Sequence, residues 1–212
     1  MTARFDPSLL PAAPDLSFEE ALWAAGAQAI SGIDEAGRGA LAGPVAAGAI
    51  ILPPGSAWAE RLQGVRDSKQ MTPAQREAWA PRLKIIALAW GVGFASHKEI
   101  DSLGILPATH LAAQRAVDAL VVRPDHLLLD CLFLPESALP QTSLIKGDCR
   151  SLSIAAASIL AKTARDALMQ QLDAEFPGYG LAIHKGYGTA AHRAAIAQRG
   201  KSAIHRQSFQ IK

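Results

Sequence analysis

Two adjacent carboxylates, Asp34 and Glu35, are the residues of this chain whose types and spacing most directly suggest chemistry. They interrupt an apolar, glycine-rich stretch that runs from Ile30 to Ile51. Side chains of consecutive strand residues point to opposite faces of a sheet, so both carboxylates can serve one site only where the strand ends or is bulged. The stretch therefore predicts a strand end with an acidic, metal-binding character.

The residues that follow, Gly37, Arg38 and Gly39, supply such a strand end. Glycines allow the main chain to approach a ligand closely and to offer its N–H groups, and a guanidinium suits the geometry of a phosphate. The local interpretation is a metal-binding carboxylate pair beside donors for a phosphate. The alternative is a glycine-rich hairpin whose Asp-Glu pair is only solvated.

Two further acids end short apolar segments. Asp130 closes the segment HLLLD, which starts at His126, and Asp148 closes TSLIKGD, which starts at Thr142. Both segments are predicted to be buried strands, and α/β proteins place their chemistry at strand ends. Four acids converging there would select Mg²⁺ or Mn²⁺, which favours phosphoryl transfer. A zinc site is disfavoured because the 2 cysteines and 6 histidines show no spacing typical of ligand pairs.

Basic residues in or near loops could hold a phosphodiester backbone, although single lysines are usually only solvated. The chain has 12 Lys and Arg against 16 Asp and Glu up to Asp148, and 9 against 3 from Cys149 onward. A basic carboxyl-terminal third beside an acidic body fits a nucleic-acid surface next to a metal site; the alternative is a solubility feature. The candidate phosphate contacts are Arg38, Lys69, Lys146, Lys162 and Lys185.

The remaining pattern predicts strands alternating with helices. The first two strands, 30–34 and 45–52, should form an antiparallel pair around the glycine turn. Further strands are expected at 85–96, 126–130 and 142–148. Helices are expected at 17–29 (N-cap Ser17, capping box to Glu20), 73–84 (N-cap Thr72), 107–120, 153–175 (N-cap Ser153) and 190–199, with loops at 67–69 and 179–189.

Composition bounds the class of protein. With 212 residues, 50% of them hydrophobic and 19% charged, the chain can bury one sizeable core. It has no apolar run long enough to span a membrane, and its first residues are too charged for a secretion signal, so we expect a cytoplasmic protein. Residues 1–16 are expected to be flexible. Cys131 and Cys149, each directly after a candidate acid, are expected to be free thiols buried behind their strands; a disulfide switch between them is the alternative.

Several segments of the chain together resemble one family. They are GIDEAGRGALAGPV (32–45), DSK (67–69), KGD (146–148), SIAAASILAKTARD (153–166), YGLAIHKGYGTAAH (179–192) and HRQSF (205–209). On these segments the chain is similar to bacterial ribonuclease HII, the type 2 ribonuclease H family. The resemblance covers nearly everything from Ile30 to Phe209.

The resemblance implies a ribonuclease H-like α/β fold, in which a mixed five-stranded sheet is flanked by helices. Residues 17–212 would form a single catalytic domain, with a small helical lobe from about residue 177. It also implies a divalent cation, Mn²⁺ or Mg²⁺, as cofactor and nucleic acid as partner. No obligate protein partner or membrane is implied, and a monomer is expected; we find no carboxyl-terminal sliding-clamp motif.

By the same resemblance, Asp34, Glu35, Asp130 and Asp148 are the catalytic, metal-binding acids. Gly37, Arg38 and Gly39 would contact the ribonucleotide side of the scissile bond, and Tyr187 would help to recognise the RNA–DNA junction. The nucleic-acid face is also expected to include Ser68, Lys69, Ser158 and Lys162. One departure is that Cys131 follows Asp130 where the family often has Gly-Asn, so Glu136 remains a rival for the third acid.

The implied function is endonucleolytic hydrolysis of the RNA strand of RNA–DNA hybrids. It includes cleavage at ribonucleotides embedded in duplex DNA, leaving 3′-hydroxyl and 5′-phosphate ends, a role in ribonucleotide excision repair. Two alternatives stay open on the residues alone: a metal nuclease of the same fold that acts on DNA, and a hybrid-binding protein without catalysis.

Overall fold

The computed structural model describes Asp6 and residues 10–211 of the chain. Its centre is a five-stranded mixed sheet whose strand order is β3-β2-β1-β4-β5. The strands are β1 (Ile30–Ala36), β2 (Val45–Ile51), β3 (Ala89–Ala95), β4 (His126–Asp130) and β5 (Gln141–Leu144). The first three are joined antiparallel, whereas β4 and β5 run parallel to β1. This is the predicted mixed five-stranded sheet.

Helices cover both faces of the sheet. They are α1 (Ser17–Ala24), α2 (Ala57–Arg61), α3 (Pro73–Ile86), α4 (His97–Leu103), α5 (Ile105–Asp118), α6 (Leu152–Glu175), α7 (Leu181–His184) and α8 (Ala190–Arg199). Alternate residues of a strand face opposite sides. Accordingly, Ile33 of β1 packs in the core with α5, and Ile50 of β2 packs in the core with α3 and α6.

The long helix α6 lies unusually close to the sheet because glycines face it. A Cβ on Gly32 would come within 2.3 Å of the main chain at Ser153, and one on Gly48 within 2.4 Å of the Ala157 carbonyl oxygen. Small residues on α6 complete this contact. Its amino-terminal end is thereby fixed against the ends of β1 and β4, where the candidate acids lie.

The last part of the chain forms a small lobe against the loop between β1 and β2. Met169 of α6, Leu181 of α7 and Ile204 form its apolar centre together with Ala42. Isolated bridges pair Ala40 with Tyr187 and Ala42 with His205. The lobe is therefore attached directly to the segment that follows the two adjacent carboxylates.

Several helix predictions need correction. The first helix ends at Ala24, and its N-cap is Leu16, so the cap by Ser17 and the capping box to Glu20 were wrong; Asp15 instead accepts a hydrogen bond from the Ser17 N–H. The longest helix begins one residue early and is capped by Ser151, whose hydroxyl accepts from the Ile154 N–H, not by Ser153.

Other helices differ in extent. The helix at Pro73 has the predicted N-cap, Thr72, which also forms a capping box with Gln75, and it continues to Ile86, so that β3 begins only at Ala89. Three short helices, α2, α4 and α7, were missed, and residues 68–70 form a 3₁₀ turn within the predicted loop. Each is only a few residues long, and periodicity is a weak signal over so short a length.

The fifth strand ends at Leu144, earlier than predicted, and Asp148 lies in a 3₁₀ turn over Gly147–Cys149. The burial predicted for the cysteines was wrong: Cys131 is exposed and Cys149 is half-buried. Strand alternation does not apply to either, because Cys131 follows β4 with a φ of 48° and Cys149 lies in the turn. Both are free thiols, as predicted.

Half of the segment predicted to be flexible, at 1–5 and 7–9, lies outside the described residues. At its end, Asp15 bridges Ser151 and Leu16 is buried. Over the part of the chain that the structure describes, no helix combines the length and the apolar character needed to cross a membrane.

Candidate active site

Three carboxylates meet at one edge of the sheet. Asp34 lies in β1, Asp130 is the last residue of β4, and Asp148 lies in the turn that leads into α6. Each can offer one oxygen such that the three atoms lie within 4.8 Å of one another. The structure thus brings together three of the four predicted acids.

The cluster is electrostatically unfavourable without a cation. Burial, and then the charges of Glu35 and Asp130, raise the pKa of Asp34 well above its ordinary value. Burial and the charge of Asp148 likewise raise the pKa of Asp130 to about 6, although the Gly147 N–H donates to Asp130 Oδ1 over 2.7 Å. Carboxylates held together against such repulsion are typical of functional sites.

The residues fit a divalent cation. Among the described residues no donor reaches the buried Oδ1 atom of Asp148, and the buried Oε2 atom of Glu35 is likewise without a partner. Buried carboxylate oxygens lacking a donor are costly unless a cation binds them. An all-oxygen set suits Mg²⁺ or Mn²⁺, so Asp34, Asp130 and Asp148 are the residues that would hold it.

Glu35 lies apart from this three-acid cluster. Its Oε1 atom accepts a hydrogen bond from Arg38 over 3.1 Å, and its side chain is half-buried. The reason is the regular pairing of β1 with β2, which continues through Ala36, so that consecutive side chains still alternate. The strand break comes at Gly37, two residues after Glu35, and not between the acids.

The Gly37-Arg38-Gly39 turn is held from behind by two buried arginines. Gly37 has a φ of +94°, and a Cβ there would come within 2.0 Å of the Arg165 Nε atom. Arg206 donates hydrogen bonds to the carbonyl oxygens of Gly37 and Arg38, each over 2.7 Å. The main chain of the turn therefore has a fixed position beside the acids.

Neither arginine has an acidic partner: across the described residues, no carboxylate lies within 4.0 Å of Arg165 or Arg206. Both are fully buried, and burial lowers the pKa of each. Arg165 donates to the carbonyl oxygens of Ala42, Pro44 and Lys185, and Arg206 also donates to that of Gly43.

Sequence reasoning missed these two residues. Both stand in segments that carry the family resemblance, AKTARD and HRQSF, which was the available signal. A guanidinium that neutralises no acid but satisfies carbonyl oxygens cannot be recognised from residue type or spacing.

Tyr187 lies beside the turn and at the mouth of a groove of about 330 Å³. The centroid of its ring lies 5.4 Å from Arg165 Cζ and 5.6 Å from Lys162 Nζ. Lys162 is paired with Asp166 over 2.7 Å, whereas Lys185, also lining the groove, has no carboxylate partner among the described residues.

The Asp67-Ser68-Lys69 segment presents its lysine to the acids. The Lys69 ammonium lies 3.4 Å from Asp148 Oδ2 and 4.0 Å from Asp67 Oδ1. Burial opposes its charged form, but Asp34, Asp67 and Asp148 raise the pKa of Lys69 above its ordinary value. Lys146 is exposed beside them.

The structure gives Ser158 a different part from the one expected. It is buried inside α6, where its hydroxyl donates to the Ala155 carbonyl and accepts from the Ser68 N–H over 3.0 Å. This bond holds the turn that carries Lys69. A side chain so enclosed does not face nucleic acid, so the expected contact is corrected to a supporting one.

The rival acid, Glu136, is not near the cluster. It is exposed and lines a separate cavity with Gln114 and Pro135. Asp130 is the acid that joins Asp34 and Asp148. The departure at Cys131 therefore leaves the third carboxylate in place.

Comparison with known proteins agrees with this geometry. The sequence model of ribonuclease HII matches residues 31–212. The chain belongs to the ribonuclease HII family. It is 51% identical to the ribonuclease HII of Dehalococcoides mccartyi over 207 residues, covering 94% of this chain and 95% of that one. It is 53% identical to that of Moorella thermoacetica over 193 residues, covering 91% and 92%.

Two solved structures have the same fold. The ribonuclease H2 of Pyrococcus horikoshii OT3 superposes with a TM-score of 0.70 at 26% identity, covering 86% of this chain and 94% of that one. Bst-RNase HIII, in complex with Mn²⁺, superposes with a TM-score of 0.64 at 21% identity, covering 88% and 68%. The ribonuclease H-like fold is therefore established for this chain.

As a ribonuclease HII, the protein is an endoribonuclease of RNA–DNA hybrids. The acidic cluster offers the oxygen ligands that a divalent cation such as Mn²⁺ or Mg²⁺ prefers. Its partner is nucleic acid.

Proposed function

We propose that Asp34, Glu35, Asp130 and Asp148 are the catalytic, metal-binding acids of this ribonuclease HII. The observation that carries the proposal is the meeting of three buried or half-buried carboxylates, one of them with a buried oxygen that no described residue satisfies. A bound divalent cation supplies Lewis-acid stabilisation of the phosphate and lowers the pKa of a water nucleophile. Glu35 acts beside the cluster through its unpartnered Oε2.

The chain's own residues bind and orient the substrate. Main-chain groups of Gly37 and Gly39 and the Arg38 side chain lie next to the acids, where they can contact the ribose 2′-hydroxyl and the phosphate. The lysines placed around the cluster and the groove, Lys69, Lys146, Lys162 and Lys185, hold the phosphate backbone. The 2′-hydroxyl distinguishes RNA from DNA, so something at this turn must contact it.

We further propose that Tyr187 packs on the sugar next to the scissile bond and that the enzyme cleaves at single ribonucleotides embedded in duplex DNA. The support is that its half-buried side chain lines the groove and that its main chain bridges Ala40, just after the Gly37 turn. Cleavage would leave 3′-hydroxyl and 5′-phosphate ends and would serve ribonucleotide excision repair. The working unit is a cytoplasmic monomer with one catalytic domain, residues 17–212, including the lobe from about residue 177.

A cleavage assay tests the proposal. We would compare DNA, RNA and hybrid duplexes, and duplex DNA with one ribonucleotide, with and without Mg²⁺ and Mn²⁺. Cation-dependent cleavage of the last two substrates alone is expected. Cleavage of plain DNA would favour a DNA nuclease, and binding without cleavage would favour a non-catalytic hybrid-binding protein.

A further inference from the structure

The lobe contains a buried chain of hydrogen bonds that links the main chain of Tyr187 to that of Ser202 through two histidines. His192 Nδ1 lies 3.0 Å from the Tyr187 carbonyl oxygen, and His192 Nε2 lies 3.1 Å from His205 Nε2. The other ring nitrogen of His205, Nδ1, accepts from the Ser202 N–H over 2.9 Å. Both imidazoles are buried, with exposed fractions of 0% and 1%.

These contacts determine where the protons lie. A carbonyl oxygen only accepts, so His192 carries its proton on Nδ1 and its Nε2 is an acceptor. A main-chain N–H only donates, so His205 accepts at Nδ1 and carries its proton on Nε2. The His205 Nε2–H therefore donates to His192 Nε2, and both rings are neutral.

The neutral state agrees with the surroundings of the pair. Burial, followed by the charge of His192, lowers the pKa of His205 to about 4, and burial lowers the pKa of His192. The other titratable groups that face them are His184, stacked on His192 with ring centroids 4.2 Å apart, Tyr179 and Lys201. No carboxylate among the described residues pairs with either ring.

The chain of hydrogen bonds connects two elements that are proposed to contact the substrate, Tyr187 and the Gly37-Arg38-Gly39 turn. At one end it holds the main chain of Tyr187. At the other, His205 bridges Ala42 and is followed by Arg206, whose guanidinium holds the carbonyl oxygens of Gly37 and Arg38. The His192–His205 contact thus lies between the main chain of Tyr187 and the residue that precedes Arg206.

We propose that His192 and His205 are positioning residues which set the distance between Tyr187 and the glycine turn, and so determine how well the enzyme acts on an isolated ribonucleotide. This rests on the proposed role of Tyr187. A continuous hybrid offers further ribose contacts along its strand, so the same displacement costs it less. Neither histidine touches substrate.

Two substitutions at His205 differ by one methylene group and separate positioning from packing. His205→Gln can place an amide donor near the Nε2 position and keep the bond to His192, whereas His205→Asn can keep only the contact to Ser202. We expect His205→Gln to retain the wild-type ratio of kcat/KM on the two substrates within about twofold. His205→Asn should lower kcat/KM for the single ribonucleotide about tenfold more than for the continuous hybrid.

A double-mutant cycle gives a second readout. In a Tyr187→Ala background, His205→Asn should change the substrate ratio little, because the group that it positions is already gone. The proposal is wrong if the effects of Tyr187→Ala and His205→Asn on the substrate ratio multiply in the double mutant. It is also wrong if His205→Gln and His205→Asn lower activity on both substrates equally, because the histidines then only pack the lobe.

The wild-type protein provides a test that does not depend on variant folding. In protein labelled with ¹⁵N-histidine, we expect two neutral rings at pH 7, with the protons on His192 Nδ1 and His205 Nε2 and a coupling between the two Nε2 atoms. An imidazolium at either site, or the opposite tautomers, would overturn the proposal. A wild-type enzyme that cleaves hybrids but not single ribonucleotides would instead refute the proposed function.

Discussion

At the scale of single residues, Asp34 shows how much one charge matters in this site. Its pKa is raised by burial and by the neighbouring acids, and its oxygen belongs to the three-acid cluster. We expect Asp34→Asn to abolish cleavage while hybrid binding survives, because the cation loses a ligand but the phosphates meet one negative charge fewer. Cleavage and binding titrations of the variant and the wild type check this. Near-normal turnover of the variant at saturating Mg²⁺ would refute the assignment of Asp34 as a catalytic, metal-binding acid.

The acids should also make stability depend on pH. Because the pKa of Asp130 is about 6 in the folded protein against an ordinary value of 3.8, the folded state binds more protons between these two pH values. The free energy of unfolding of EDTA-treated protein should therefore fall as pH rises from about 4 to about 6.

The matched variant for this prediction is Asp130→Asn, which lacks the titrating group. The histidines, whose pKa values are lowered, act in the opposite direction but equally in both proteins. The melting temperature of the wild type should thus decline relative to that of the variant across this pH range. If the melting temperatures of the two proteins changed with pH in the same way, the raised pKa of Asp130 would be contradicted.

Residue types predicted part of this site and not the rest. Asp34 and Asp130 could be found because charges at the ends of apolar strands are unusual and costly. Arg165 and Arg206 could not, because their partners are main-chain carbonyls that every residue carries. Ser158 was assigned to the nucleic-acid face because a serine hydroxyl can bind a ligand or a neighbouring turn equally well.

At the scale of elements, the turn after β1 depends on a glycine at one position more than at another. An alanine at Gly37 would need a left-handed φ of +94° and would overlap Arg165. We expect Gly37→Ala to cost about 2 kcal/mol of stability and most of the activity.

Gly39→Ala is the control, because nothing lies within 4 Å of a Cβ at that position. It should fold with a change of no more than about 0.5 kcal/mol. Any loss of cleavage in this variant then reports on substrate contact alone. Equal destabilisation of both variants, measured by urea unfolding, would show that Arg165 can move aside.

Element boundaries were predictable where a cap or a proline marks them, as at Thr72 and Pro73. They were missed where tertiary contacts decide. Ser151 caps α6, for example, with Glu19 from α1 accepting hydrogen bonds from the hydroxyls of Ser151 and Ser153. Ser151 and Ser153, two residues apart, cannot be told apart as caps without that buried partner, which is more than 130 residues away in sequence.

At the scale of the whole molecule, the lobe and the sheet should act together on the junction between RNA and DNA. We expect Tyr187→Ala to lose most activity on a single ribonucleotide in duplex DNA, less on a continuous hybrid, and to fold nearly as the wild type does. Kinetics on both substrates and a thermal melt check this. A similar loss on both, with a large fall in melting temperature, would make Tyr187 a packing residue.

The lysines placed around the acids should contribute to the binding of nucleic acid. Binding of the lysines to a hybrid releases counterions from its phosphates, and this release contributes less free energy at higher salt. The affinity is therefore expected to fall steeply as the salt concentration rises. Lys146→Gln should reduce the slope of log K against log salt by about one. The control is Lys84→Gln, because Lys84 lies over Trp90 at the edge of the sheet, 4.4 Å from the ring centroid. Equal slopes for all three proteins would leave Lys146 a solvated charge.

The arginine contacts also impose an order on biosynthesis. A ribosome adds Arg206 after every acid of the cluster and after Tyr187. Until then the carbonyl oxygens of Gly37 and Arg38 lack the guanidinium that holds them. The sheet with its carboxylates can therefore form on a nascent chain before the recognition turn is fixed. If the turn contacts the substrate as proposed, we expect the nuclease to become competent only after its carboxyl-terminal segment has left the ribosome and docked.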